Sequence, residues 1–211
     1  MEPVALALVL AFDGSASVNF NEFVLMTTGT AAALRNETIA TGLTAGGSIV
    51  CLLLWSGPGA QEVMVEWTRL ATPEDVIAFA REVEDMPRIV PAGTTAIGEA
   101  LAVCAKLLAV CPAEARRYVV DFVGDGRSNA GVDPEPVRDE LVAAGVTING
   151  LCVLHEEADL VESYQREVIG GPGAFALQCQ DYAGFALAMR QKLVREIALS
   201  RMINPRLINQ V

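Results

Sequence analysis

The chain has 211 residues, 52% hydrophobic and 19% charged, which is the composition of a globular protein and excludes a disordered one. Its formal charge of −11 argues against nucleic acid or anionic membrane as partners. No apolar run approaches the roughly 20 residues of a membrane span, so membrane insertion is not expected.

The chain opens on Val4 to Phe12, a continuous apolar run that predicts a strand buried on both faces. Met1 stands almost directly against it. No export signal is visible, which leaves a natural start and a replaced signal both open. The run ends abruptly at Asp13-Gly14-Ser15-Ala16-Ser17. One carboxylate and two hydroxyls on alternate residues can turn toward one point, as a hard cation such as Mg²⁺ requires. The same residues also suit a turn and a helix cap. On this stretch alone the two readings stand level.

Asn19 or Asn21 then caps a predicted helix running to about Leu34, with Phe20, Phe23, Met26 and Thr27 toward its inner face. Ser48 to Trp55 is a second apolar strand. Glu62 to Leu70 alternates, with Val63, Val65 and Trp67 on one side, and reads as an antiparallel edge strand. Thr72-Pro73-Glu74-Asp75 starts a helix that ends near Asp85. A loop follows through Gly93-Thr94-Thr95, and a helix runs from about Ala96 to Val110, with Ile97, Leu101, Cys104 and Leu108 on one face. Tyr118 to Val123 is a strand, followed by Gly124-Asp125-Gly126. Asp133-Pro134 opens a helix closed by Gly145. Val146 to Leu154 is a strand, Leu160 to Val168 a short helix, Ala174 to Cys179 the last strand, and Tyr182 to about Leu199 the last helix.

This alternation predicts an α/β fold. We expect a doubly wound, mostly parallel six-stranded sheet with one antiparallel edge strand and helices on both faces. Residues 1–200 form the expected domain and 201–211 a C-terminal tail. The five cysteines contain no CxxC, and neither a disulfide framework nor a zinc site is expected.

In such a sheet, sites lie beyond the carboxyl ends of the strands where strand order reverses. If the strands ending at Asp13 and before Asp125 are neighbours there, their loops face each other, with Thr94 and Thr95 at the same rim. Asp13-x-Ser15-x-Ser17, the Gly93-Thr94-Thr95-Ala96-Ile97-Gly98-Glu99 loop and Gly124-Asp125-Gly126 together resemble the metal-ion-dependent adhesion site of von Willebrand factor A domains. Val146 to Leu151, Val168 to Phe175 and Lys192 to Ile197 further resemble an uncharacterised bacterial domain-of-unknown-function family of the same fold, often exported.

The resemblance implies that Ser15, Ser17 and Thr95 contact a metal through hydroxyls, and that Asp13 and Asp125 act directly or through waters. Thr94 is left as a helix cap. The implied metal is Mg²⁺, with Mn²⁺ or Ca²⁺ as alternatives. The implied partner is a protein that supplies an Asp or Glu carboxylate, and the implied location is periplasmic or secreted, with the cytoplasm still open. A non-enzymatic binding module is the leading reading. A Mg²⁺-dependent enzyme acting on phosphate-containing substrates and a scaffold with a vestigial metal site are the alternatives.

Other residues read as structural. Asp121, mid-strand, is expected to pair with backbone or with Arg116 or Arg117. His155 reads as a solvated loop residue and Gly170 to Gly173 as a turn. Asn129 is expected to brace the Asp125 loop.

Overall fold

A computed structural model describes residues 3–202 of the chain. Six strands form one sheet in the order β3-β2-β1-β4-β5-β6. They are β1 (Val4–Asp13), β2 (Ser48–Trp55), β3 (Gln61–Leu70), β4 (Ala115–Gly124), β5 (Val146–Val153) and β6 (Ala176–Cys179). All pairings are parallel except β2 with β3. The helices are α1 (Phe20–Leu34), α2 (Glu37–Thr44), α3 (Pro73–Asp85), α4 (Ile97–Ala109), α5 (Pro134–Ala143), α6 (Leu160–Glu167) and α7 (Phe185–Met202). A single 3₁₀ turn, Tyr182–Gly184, leads into α7.

β1 lies at the centre because every residue from Leu6 to Asp13 is buried. Leu6, Leu8, Leu10 and Phe12 face a core shared with α1, α3 and α7. Val9 and Ala11 face the opposite core, under α4 and α6. A strand with two dry faces must be covered on both sides, and that demand sets the three-layer fold. The chain passes from β1 to β2 and β3 on one side, then returns to β4, β5 and β6 on the other. Strand order therefore reverses between β1 and β4, as expected. No described helix is long and apolar enough to cross a membrane.

Local chemistry accounts for the element starts. The side chain of Asn19 accepts from Asn21 and Glu22 backbone N–H groups, and Glu22 returns a bond to the Asn19 backbone. Thr72 and Asp75 make the same reciprocal cap on α3. Asp133 caps α5 before Pro134.

The structure corrects several expectations. Helix α2 was not expected; its signal is only Ile39 and Leu43, one turn apart and buried. Phe20 does not face inward but is 67% exposed, because it is the first residue of α1, at the rim. Val65 belongs to the α1-side core, whereas Val63 and Trp67 pack on the other. Pairing shifts between Val50 and Leu52 and again between Leu52 and Leu53, and each extra residue turns the following side chain over. Thr94 makes no cap, since α4 begins after Ala96 with no side-chain cap bond. α4 ends at Ala109, one residue earlier than expected, and all five cysteines are free, as expected. Asp121 pairs with Lys192 of α7, while Arg117 pairs with Glu196. The tail expected over 201–211 overlaps α7 at its start and otherwise lies outside the described residues.

Candidate metal centre

β1 ends on Asp13 and β4 on Gly124, side by side. The loops that follow meet above this pair. Asp13 Oδ1 accepts from the Ser15 backbone N–H at 2.7 Å, which turns the chain sharply after the strand. Gly14 N–H donates to Trp55 O at 2.7 Å. A methyl on Gly14 would stand 2.8 Å from Val90 Cγ2, so the loop packs too closely for a side chain there. Arg88 donates to the carbonyls of both Gly14 and Ser15 at 2.9 Å.

The hydroxyls of Ser15 and Ser17 lie 3.0 Å apart. Ser17 then donates to Asp125 Oδ1 at 2.6 Å, across 108 residues of sequence. The Thr95 loop joins them through the backbone: Ala16 N–H donates to Gly93 O, and Ala96 N–H to Ser56 O. Thr95 N–H donates to Asn129 Oδ1 at 2.8 Å, and Asn129 N–H donates to Thr95 O at 2.9 Å. Asn129 thus ties the Asp125 loop to the Thr95 loop. The Thr95 hydroxyl faces Gly126, where an added methyl would stand 4.0 Å away. Asp13, Ser15, Thr95 and Asp125 are buried, Ser17 is half-buried, and Thr94 is exposed.

Two carboxylates in this dry place oppose each other. Burial first, and then the charge of Asp125, push Asp13 up to about 7 from an ordinary 3.8. Burial also raises Asp125, against the lowering effect of the Ser17 hydrogen bond. Asp13 Oδ2 is buried without a hydrogen-bond partner among the described residues. It points toward Gly124, where a methyl would stand 3.1 Å away. An orphaned carboxylate oxygen beside hydroxyls and a second carboxylate is a donor set suited to a hard cation with oxygen ligands. Among the described residues no group of three or more His, Cys, Asp and Glu side chains is arranged to hold a metal. The hydroxyls are therefore needed to complete this donor set.

Three neighbours of the centre were not expected. Tyr182, leading into α7, donates to Asp125 Oδ2 at 3.3 Å. His155 is an exposed loop residue, as expected, yet its ring also stands 5.6 Å from that of Tyr182, edge to face. Its Nε2 lies 4.0 Å from Asp125 Oδ2 and 3.7 Å from Glu22 Oε1. Glu22 had a legible cap signal three residues after Asn19. Tyr182 and His155 carry none, because their approach depends on how β5 and β6 end.

The family profile described as Protein of unknown function (DUF1194) matches residues 3–201. No curated protein matches the chain in sequence. Among solved structures, proximal thread matrix protein 1 from the mussel byssus superposes with a TM-score of 0.70 at 19% identity, covering 92% of this chain and 47% of that one. A second structure of that protein has a zinc-occupied MIDAS motif, the adhesion-site motif named above, with a TM-score of 0.69, 20% identity and coverage of 93% and 48%. The von Willebrand factor type A structure from Catenulispora acidiphila gives a TM-score of 0.62 at 15% identity, with 91% and 42% covered. The manganese-loaded TRAP protein of Plasmodium vivax gives 0.57 at 18% identity, with 90% and 73% covered. The chain spans about half the length of the mussel protein. The likeness establishes a von Willebrand factor A-type fold.

Proposed function

The chain belongs to the DUF1194 family, and from the geometry of its loops we propose that it is a non-enzymatic, divalent-cation-dependent protein-binding module. The observation that carries this reading is the buried, unpartnered Asp13 Oδ2, at the strand end above which the linked Ser15, Ser17 and Asp125 side chains gather. Ser15, Ser17 and Thr95 hold the cation through their hydroxyls, and Asp13 and Asp125 hold it directly or through waters. Mg²⁺ suits this oxygen set, and Mn²⁺ or Ca²⁺ would use the same ligands. The zinc-occupied MIDAS motif of the mussel protein, and the manganese loaded on the TRAP protein, support a divalent ion here.

The protein's own residues preorganise the site. Asp13 Oδ1 and Arg88 fix the first loop, Asn129 fixes the second to the third, and Tyr182 and Ser17 hold the two oxygens of Asp125. The bound cation supplies an electrophilic point for a carboxylate oxygen from another protein. With three neutral hydroxyls among its five donors, the cation is left electrophilic enough to take one more carboxylate oxygen. The partner is accordingly a protein that presents an Asp or Glu, and the matrix setting of the mussel relative supports a location outside the cytoplasm.

Water-proton relaxation of the Mn²⁺-loaded protein tests the reading. Adding a short Asp-containing peptide should lower the relaxation as its carboxylate displaces Mn²⁺-bound water, and an Asn-containing peptide should not. Equal effects of the two peptides would contradict it.

A further inference from the structure

A second cluster of ionisable groups lies at the sheet face under α7. Asp121 sits mid-β4 between Leu10 of β1 and Asn149 of β5. Lys192 reaches it from α7, and both side chains are fully buried. Apart from this ion pair, Lys192 Nζ and both Asp121 oxygens have no polar partner among the described residues. The Phe175 ring covers Nζ at 5.3 Å. Glu196, one turn along α7 and also buried, acts electrostatically on both groups. It is held by Arg117 at 2.6 Å and by the Asn149 side-chain amide.

We infer that Lys192 and Asp121 condense to an intramolecular amide that bonds α7 covalently to the centre of the sheet. Lys192 Nζ forms a bond to Asp121 Cγ, and one Cγ–O bond breaks. The amide nitrogen keeps one of the three ammonium hydrogens. The other two leave on the departing oxygen as water, relayed through the Glu196 carboxylate. Ammonium plus carboxylate becomes amide plus water, so atoms and charge balance without oxidant, reductant or activating reagent. The setting supplies the drive. Each of two buried ions carries a desolvation cost that a neutral amide removes. Fixed proximity replaces a bimolecular encounter. The product leaves Arg117 and Glu196 as a matched pair. Burial raises Glu196, in keeping with a group that takes up and releases a proton.

Mass spectrometry of the folded chain tests this. The intact protein should be lighter than its sequence by one water. Trypsin should fail to cut after Lys192 and release residues 118–127 joined to residues 191–195. The joined peptide is the required result, because a succinimide at Asp13-Gly14 or Asp125-Gly126 would lose the same mass without it. Lys192→Met should restore the full mass. In folded Glu196→Gln the joined fraction should fall at least several-fold. Recovery of 118–127 as a free peptide from the wild-type chain, with cleavage after Lys192, would overturn the cross-link. Complete joining in folded Glu196→Gln would overturn the relay.

Discussion

Tyr182 donates its phenol hydrogen to Asp125 Oδ2 at 3.3 Å, so the turn that begins α7 grips the carboxylate whose other oxygen Ser17 holds at 2.6 Å. Asp125 is thereby fixed on both sides before any cation arrives. Tyr182→Phe should lower Mn²⁺ affinity about fivefold, the ~1 kcal/mol of one buried hydrogen bond, with the fold retained. Calorimetric titration of the variant checks this; an unchanged affinity would show that Tyr182 does not orient Asp125.

The metal-free protein should lose stability as pH rises. Burial, and then the Asp125 charge, raise Asp13 from 3.8 in the unfolded chain to about 7 in the folded one. The folded state therefore binds this proton more tightly. The contribution is complete below the unfolded value and is lost as pH climbs through the folded one. Asp125 and Glu196 are raised too and add to the same slope. Urea unfolding in EDTA should show greater stability at pH 5 than at pH 8, with Asp13 supplying up to about 2–3 kcal/mol of that difference. Asp13→Asn should flatten that dependence, and saturating Mg²⁺ at pH 8 should recover the lost stability.

Glu196→Ala should cost about 3–5 kcal/mol, because it strands the buried guanidinium of Arg117. The Asn149 side chain loses its acceptor in the same step. Chemical denaturation measures the loss. A cost under about 1 kcal/mol, the value of an exposed pair, would show that the cluster does not anchor α7.

Two glycines with positive φ separate backbone strain from crowding. Gly145 (φ 86°) has open space where a methyl would go, so Gly145→Ala should cost only the ~1–2 kcal/mol of a left-handed residue. Gly171 (φ 95°) would place its methyl 2.5 Å from Val146 O and 2.9 Å from Thr147 Cα. Gly171→Ala should therefore cost clearly more than Gly145→Ala, since backbone must move as well. Melting temperatures of the two variants check the ordering.

What could be read from the sequence was what the chain encodes locally. The apolar run into Asp13, and the strand into Gly124-Asp125, placed both carboxylates at strand ends, and the strand order then set them side by side. Asn129 was legible as a brace, though it serves Thr95 directly. Contacts made by chain distant in sequence were not legible. Lys192 meets Asp121 from a helix 71 residues on, while two arginines stood closer in sequence. His155 is exposed as read, but its approach to Tyr182 and Asp125 was not legible. Helix α2 escaped because Thr and Gly dilute its apolar face.

Calorimetric titration of Mg²⁺ and Mn²⁺ into the wild-type chain and into Asp125→Ala, both shown to be folded, tests the central claim most directly. The wild type should bind one ion, and Asp125→Ala should give no heat of binding. Equal heats from the two proteins would contradict a metal centre at these loops.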